Sequence, residues 1–125
     1  LASLTVILIS SILCFLWYNI YPAKIFMGDT GSMAIGSYIA IASLLEGVYF
    51  LVPIMAPVFI IESGSVILQT LFKKIFKKKI FLSTPIHHHF EAKGLHEANI
   101  VFKFWVINAI GAVIAFIIFL LDKLI

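Results

Sequence analysis

The chain is built from long apolar runs separated by two short polar stretches. Residues 1–18 carry no charged side chain, and their serines and threonine can bond to backbone carbonyls one turn earlier. A second run, Val101 to Leu121, has Asn108 as a polar interruption near its middle. Each is long enough to cross a bilayer as a helix. Between them, Met33 to Leu71 is almost continuously apolar; its breaks are Glu46, Gly47, Pro53, Pro57 and the group Glu62-Ser63-Gly64-Ser65. At about 1.5 Å rise per residue this middle stretch is too long for one helix across a hydrocarbon core of about 30 Å. It fits two crossings joined by a tight turn at Glu46-Gly47. The pattern predicts an all-α fold, a polytopic membrane helix bundle of about four transmembrane helices. The spans lie roughly at residues 1–18, 31–46, 50–72 and 100–121, with connecting loops at 19–30 and 73–99. Glu62 falls inside the third span. A carboxylate at that depth is costly and must face the protein interior, a cavity or water. With Ser63-Gly64-Ser65 beside it, a helix locally broken near Glu62-Gly64 is expected, since irregular backbone is tolerated there only where protein or water satisfies it.

Composition agrees with this picture. Of 125 residues, 62% are hydrophobic and only 12% charged, too few to give a soluble domain a polar surface. The mean hydropathy is +1.14. The formal net charge of +3 comes from lysines, there being no arginine. Six of the lysines, Lys73, Lys74, Lys77, Lys78, Lys79 and Lys93, crowd the second loop, and Lys24 lies in the first. Lysines clustered beside a span set topology and exclude a nucleic-acid reading. By the positive-inside rule both loops are cytoplasmic, which requires an even number of crossings between them. Phe72, Phe76 and Ile80, four apart with lysines between them, also fit a short interfacial helix on anionic lipid. Cys14, the single cysteine, sits in an apolar run and forms no intrachain disulfide. The chain starts at Leu1 inside an apolar run, without a basic n-region, so it is expected to be the C-terminal piece of a longer protein.

The candidate chemistry lies in the two loops. In the first, Gly28 and Gly31 bracket Asp29 and Thr30. One reading is a glycine-rich turn in which Asp, Thr or Ser caps the next helix. The other is a metal–phosphate site, with Asp29 as a hard oxygen ligand for Mg²⁺ and the helix N-terminus favouring the anion. The GK[ST] ending of a P-loop is absent. In the second loop, His87, His88 and His89 follow Thr84-Pro85. Thr84 is pushed toward extended backbone by the proline. If extension continues, His87 and His89 point one way and His88 the other, which does not close a tetrahedral zinc site. Three readings stay open for them: a polar surface loop, phosphate binding by imidazolium, or proton transfer near neutral pH.

Two segments carry a resemblance. FLWYNIYPAKIFMGDTGS (Phe15–Ser32) and PIHHHFEAKGL (Pro85–Leu95) resemble, in order and separation, the C-terminal signatures of the phospho-N-acetylmuramoyl-pentapeptide transferases, the MraY family. GDTGS alone marks only the wider superfamily of polyprenyl-phosphate sugar-1-phosphate transferases; HHHFE favours the muramoyl branch. The resemblance implies transfer of a phospho-sugar from UDP-N-acetylmuramoyl-pentapeptide to undecaprenyl phosphate with Mg²⁺, giving lipid I and UMP at the bacterial inner membrane. It implies that Asp29 binds the metal, that Phe26 lies near the nucleotide, and that His87, His88 and His89 act in phosphate binding and catalysis. It also brings Gln69 to the same site. The paired aspartates and the DGLDG stretch of the family are not in this sequence, so part of the site, in the N-terminal part of the same enzyme, is expected elsewhere. A sister-branch transferase using another UDP-sugar and a transporter or channel subunit with Glu62 on its ion path stay open, as does a second copy of the chain as partner in a homodimer.

Overall fold

A computed structural model describes all residues, Leu1–Ile125. The chain is all-α, with six helices and no strand: α1 Ala2–Asn19, α2 Gly28–Leu45, α3 Val52–Met55, α4 Pro57–Phe76, α5 Ile86–Ala92 and α6 Glu97–Leu124, plus a short 3₁₀ turn at Tyr49–Leu51 before α3. Two compact units divide it, Leu1–Tyr49 and Phe50–Ile125.

In the first unit, α1 shows the expected back-bonding: Ser10 and Ser11 hydroxyls donate to the carbonyls of Val6 and Ile7 at 2.8 and 2.9 Å. This removes two hydroxyls from an apolar surface at little cost. The Thr5 and Tyr38 hydroxyls bond to each other and tie α1 to α2. Asn19 donates to the Ile25 carbonyl at 2.8 Å and closes the polar loop between the helices. Gly28, at φ +68, takes the left-handed backbone that starts α2. Gly47, at φ +71, makes the turn expected after Glu46.

The second unit is organised by α6, which packs along α3 and α4. Its buried stripe is Ile100, Gly111 and Ala115, spaced as one face of a helix requires. Gly111 sits where the chain bends. A Cβ there would collide with the Ile54 carbonyl oxygen and lie 2.9 Å from Pro57 Cδ. Only glycine lets α6 approach that backbone so closely.

The bend is the main departure from expectation. The third span is broken, but at Ala56, where the axes before and after differ by 84°; α4 runs unbroken through Glu62-Ser63-Gly64-Ser65. Pro57 explains the location. It has no N–H to donate back, and it disfavours helical backbone in the residue before it; Ala56 accordingly lies at φ −130, ψ 59. The Ser/Gly group stays helical because its polar atoms are satisfied within the helix, with Ser65 Oγ donating to the Glu62 carbonyl at 2.7 Å. The break leaves the first amides of α4 without helical partners. Asn108, the polar residue in the last span, answers this: its Oδ1 accepts from the Val58 amide at 3.3 Å.

Two helices, α1 and α6, are long and apolar enough to cross a membrane, and the bent pair Tyr49–Met55 and Pro57–Phe76 makes a third candidate. The fourth expected span coincides with α2, whose first turn, Gly-Asp-Thr-Gly-Ser, dilutes its apolar character. The apolar surface is almost all outward, as in a membrane protein; Trp17, Phe59, Phe102 and Phe116 are each at least 60% exposed.

Candidate functional site

The three histidines do not lie on extended backbone. Pro85 caps a helix rather than prolonging a strand, and α5 begins at the next residue. Proline is tolerated at a helix start because the missing N–H has no partner to lose there. Successive side chains therefore diverge by about 100° instead of 180°. Each histidine then meets a different partner through Nδ1.

His87 Nδ1 lies 2.9 Å from Glu62 Oε2. The carboxylate only accepts when ionised, so Nδ1 carries a proton, and in the neutral ring Nε2 keeps its lone pair. Glu62 is the more enclosed of the two, with its side chain 18% exposed against 38% for His87. Its other oxygen, Oε1, is buried and makes no hydrogen bond. The interaction of this carboxylate within the fold is thus wholly with His87. His88 Nδ1 pairs with Glu91 Oε2 at 2.8 Å, one turn along α5 and more exposed. His89 Nδ1 instead accepts from the Leu82 amide at 3.1 Å. Nδ1 is therefore unprotonated, the ring is neutral, and Nε2–H is its remaining donor. Phe81 and Phe90 meet the His89 ring edge-on, at 5.6 and 5.8 Å between centroids.

The segment that presents these rings is held by Gln69. This side chain, 8% exposed on α4, accepts from the Ile80 and Phe81 amides at 2.9 and 3.0 Å and donates to the Phe81 carbonyl at 3.0 Å. Glu62, Ser65 and Gln69 recur at helical spacing, so one face of α4 supplies both the His87 partner and the clamp. The amide of Gln69, expected at the substrate site, is spent on the protein's own backbone. Helix α4 ends at Phe76, with Lys77 left-handed at φ 53, so Ile80 is outside any interfacial helix. The fourth histidine caps α6, its Nδ1 accepting from the Ala98 amide at 3.2 Å.

Asp29 and Phe26 belong to the first unit. Asp29 lies in the first turn of α2, and no side chain caps that helix. Its carboxylate is exposed. Asp29 is therefore not spent as a cap and presents a hard oxygen donor at the positive end of a helix. No group of three or more His, Cys, Asp or Glu side chains is arranged to hold a metal. The donor set suits Mg²⁺ in the form it commonly takes, held by one or two carboxylates with phosphate oxygens and water, and does not suit an all-protein cage. Phe26, just before α2, is 81% exposed, which leaves its ring free to stack.

The residue that sequence reasoning did not place at the site is Glu62. The available signal was its position: a carboxylate inside an apolar helix needs a partner, and three imidazoles followed within the next loop.

Known proteins resemble this chain along most of its length. The family model described as Glycosyl transferase family 4 matches residues 1–47. Over 109 residues, 87% of this chain, it is 50% identical to a phospho-N-acetylmuramoyl-pentapeptide-transferase of Blochmanniella floridana, covering 30% of that protein. Proteins of the same name from Campylobacter hominis and Borreliella burgdorferi are 51% and 52% identical over 86% and 81% of the chain, which covers 30% and 29% of their lengths. The chain thus spans about 30% of the length of the curated relatives it matches.

Proposed function

From the premise that this chain belongs to the phospho-N-acetylmuramoyl-pentapeptide-transferase family and matches the C-terminal part of its members, we propose that it supplies part of the active site for transferring phospho-N-acetylmuramoyl-pentapeptide from its UDP donor to undecaprenyl phosphate. Lipid I and UMP are the products, and the reaction takes place at the cytoplasmic face of the bacterial inner membrane. The observation that carries the reading is the His87–Glu62 pair, 2.9 Å apart with Nε2 of His87 left open.

Phosphoryl transfer asks the protein chiefly for positioning and charge stabilisation. An oxygen of the acceptor phosphate attacks the sugar-linked phosphorus of the donor, the bond to the UMP oxygen breaks, and UMP leaves. His87 is suited to take the proton of the acceptor phosphate on Nε2, because Glu62 fixes the tautomer and stabilises the imidazolium that forms. His89, a neutral donor through Nε2–H, is suited to hold a phosphate oxygen. His88, paired with exposed Glu91, is the least committed of the three. Asp29 would hold Mg²⁺ through its carboxylate, and the ion, when bound, offsets negative charge on the donor diphosphate. Phe26 is suited to stack on the uracil ring.

The test is release of UMP from UDP-N-acetylmuramoyl-pentapeptide by the full-length enzyme with undecaprenyl phosphate and Mg²⁺. His87→Ala should lower turnover by about 10²-fold or more. Glu62→Gln keeps an acceptor for Nδ1–H but loses the charge, and should cost about tenfold. Wild-type turnover by His87→Ala would overturn the assignment. UDP-N-acetylglucosamine serving equally well as donor would move the protein to the sister branch.

A further inference from the structure

The lysines of the second loop fall into two groups. Lys73, Lys74 and Lys79 line an open cavity of about 690 Å³ at the C-terminal end of α4, whereas Lys77, Lys78 and Lys93 do not. No carboxylate lines this cavity, and the only ion pairs in the chain join histidine to glutamate, so its three ammonium groups are unpaired. Ser83 and Thr84 add half-buried hydroxyls that make no hydrogen bond within the protein. Gln69 and Leu82 line the cavity as well. It is therefore an extension of the histidine site: Gln69 clamps the segment that carries the rings, and the Leu82 amide is the one bonded to His89 Nδ1 at 3.1 Å.

Resting on the transferase reading above, we propose that this cavity holds the carboxyl end of the donor's peptide. A pentapeptide joined to a muramoyl unit spends its amino end on that bond and keeps a free terminal carboxylate. Topology alone asks only for positive charge beside a span, which Lys77, Lys78 and Lys93 supply without lining the cavity. Ammonium groups around one cavity repel each other, and an anion between them relieves this. The donor carries two kinds of anion. Its diphosphate pairs with Mg²⁺, and a cavity without a carboxylate gives that ion no protein ligand. The peptide carboxylate carries no metal and meets three charged donors and two hydroxyls. Size agrees. A cavity of about 690 Å³ lies within the roughly 300–1,000 Å³ of ligand pockets, and a carboxylate alone leaves most of it for the residues that precede it. Leu82 connects the two halves of the site, since it lines the cavity and bonds to the ring suited to hold a phosphate oxygen. A UDP-sugar without a peptide has nothing to place among these lysines, so the cavity favours the peptide-bearing donor.

The experiment measures UMP release by the full-length enzyme from two donors, UDP-N-acetylmuramoyl-pentapeptide and the same molecule with its terminal carboxyl amidated. For the wild type, amidation should raise KM about tenfold, the value of one charge-assisted hydrogen bond, and leave kcat within about twofold. The variant Lys73→Gln/Lys74→Gln/Lys79→Gln should show the higher KM with both donors, so that the two become equivalent. Lys73→Arg/Lys74→Arg/Lys79→Arg keeps the charge and should keep the preference for the acid. Lys77→Gln/Lys78→Gln/Lys93→Gln removes the same charge outside the cavity and should also keep it. Equal KM values for the two donors with the wild type would overturn the proposal without any variant having to fold, while the UMP released would leave the transferase reading standing. No UMP from either donor would overturn both. Equal loss of the preference in the two glutamine variants would reduce the effect to diffuse attraction and overturn the site.

Discussion

Replacing Gln69 by leucine should free the segment that carries the histidines without touching any of them. Gln69 makes three hydrogen bonds to the backbone of residues 80 and 81. Each contributes about 1 kcal/mol net, so the clamp is worth about 3 kcal/mol at most. Leucine fills the same space but leaves two amides and a carbonyl without partners. Because Ile80 is 41% exposed, water recovers part of the loss, and a local cost of about 2 kcal/mol is expected. Opening of the segment then becomes about 30-fold more frequent. Amide hydrogen exchange reads this directly: the Ile80 and Phe81 amides should exchange about 30-fold faster in Gln69→Leu, while amides in the middle of α6 stay unchanged. Gln69→Glu can still accept from both amides but cannot donate to the Phe81 carbonyl, so it should fall between the two. Exchange at Ile80 and Phe81 within about twofold of wild type in Gln69→Leu would show that the loop is held by other contacts.

Three further outcomes are expected. Gly111→Ala forces a Cβ against the backbone at the bend and should destabilise the protein by about 1–3 kcal/mol in thermal unfolding; Gly64→Ala, where a Cβ meets open space, should be neutral or stabilising, and equal effects would refute the close approach. Asp29→Asn keeps shape and loses charge, and should abolish most Mg²⁺-dependent turnover in the full-length enzyme while membrane insertion persists; near-normal turnover at ordinary Mg²⁺ would end its role as a ligand. With Cys14 replaced, an impermeant thiol reagent on intact cells should label a cysteine at Gly47 and spare one at Lys78; equal labelling would sink the cytoplasmic placement of both loops.

Helices α1, α2 and α6 lie within a few residues of the apolar runs read from hydropathy, because in a lipid-facing chain the same runs must be both the surface and the spans; α5, on a segment expected to be extended, does not follow from hydropathy. The site of the break is not legible in it either. A Ser-Gly-Ser group and a proline both weaken a helix, but by different means. The first three lower propensity by amounts that packing recovers, whereas Pro57 removes a donor that nothing within the helix replaces. Asn108 carried the missing clue. A polar residue in the middle of the most apolar helix requires a partner at the same depth, and the free Val58 amide that follows a proline is such a partner.

The histidine motif is helical rather than extended, and this changes what distinguishes its three members. Extended backbone would make His87 and His89 alike and set His88 apart by direction. Helix α5 removes that pairing, since no two of three consecutive helical residues share a face. What separates the three rings is the group bound to each Nδ1. Glu62 offers an enclosed carboxylate from another helix, 18% exposed, which fixes the orientation of the His87 ring. Glu91 offers a carboxylate too, but one exposed on the same short helix, where water screens it and the pair is worth little. The Leu82 amide offers a donor, which His89 Nδ1 accepts, so the N–H of this ring is at Nε2. The three rings are therefore distinguished by contacts 25, 3 and 7 residues away in the chain. Only the three-residue contact lies within reach of a pattern read along the sequence.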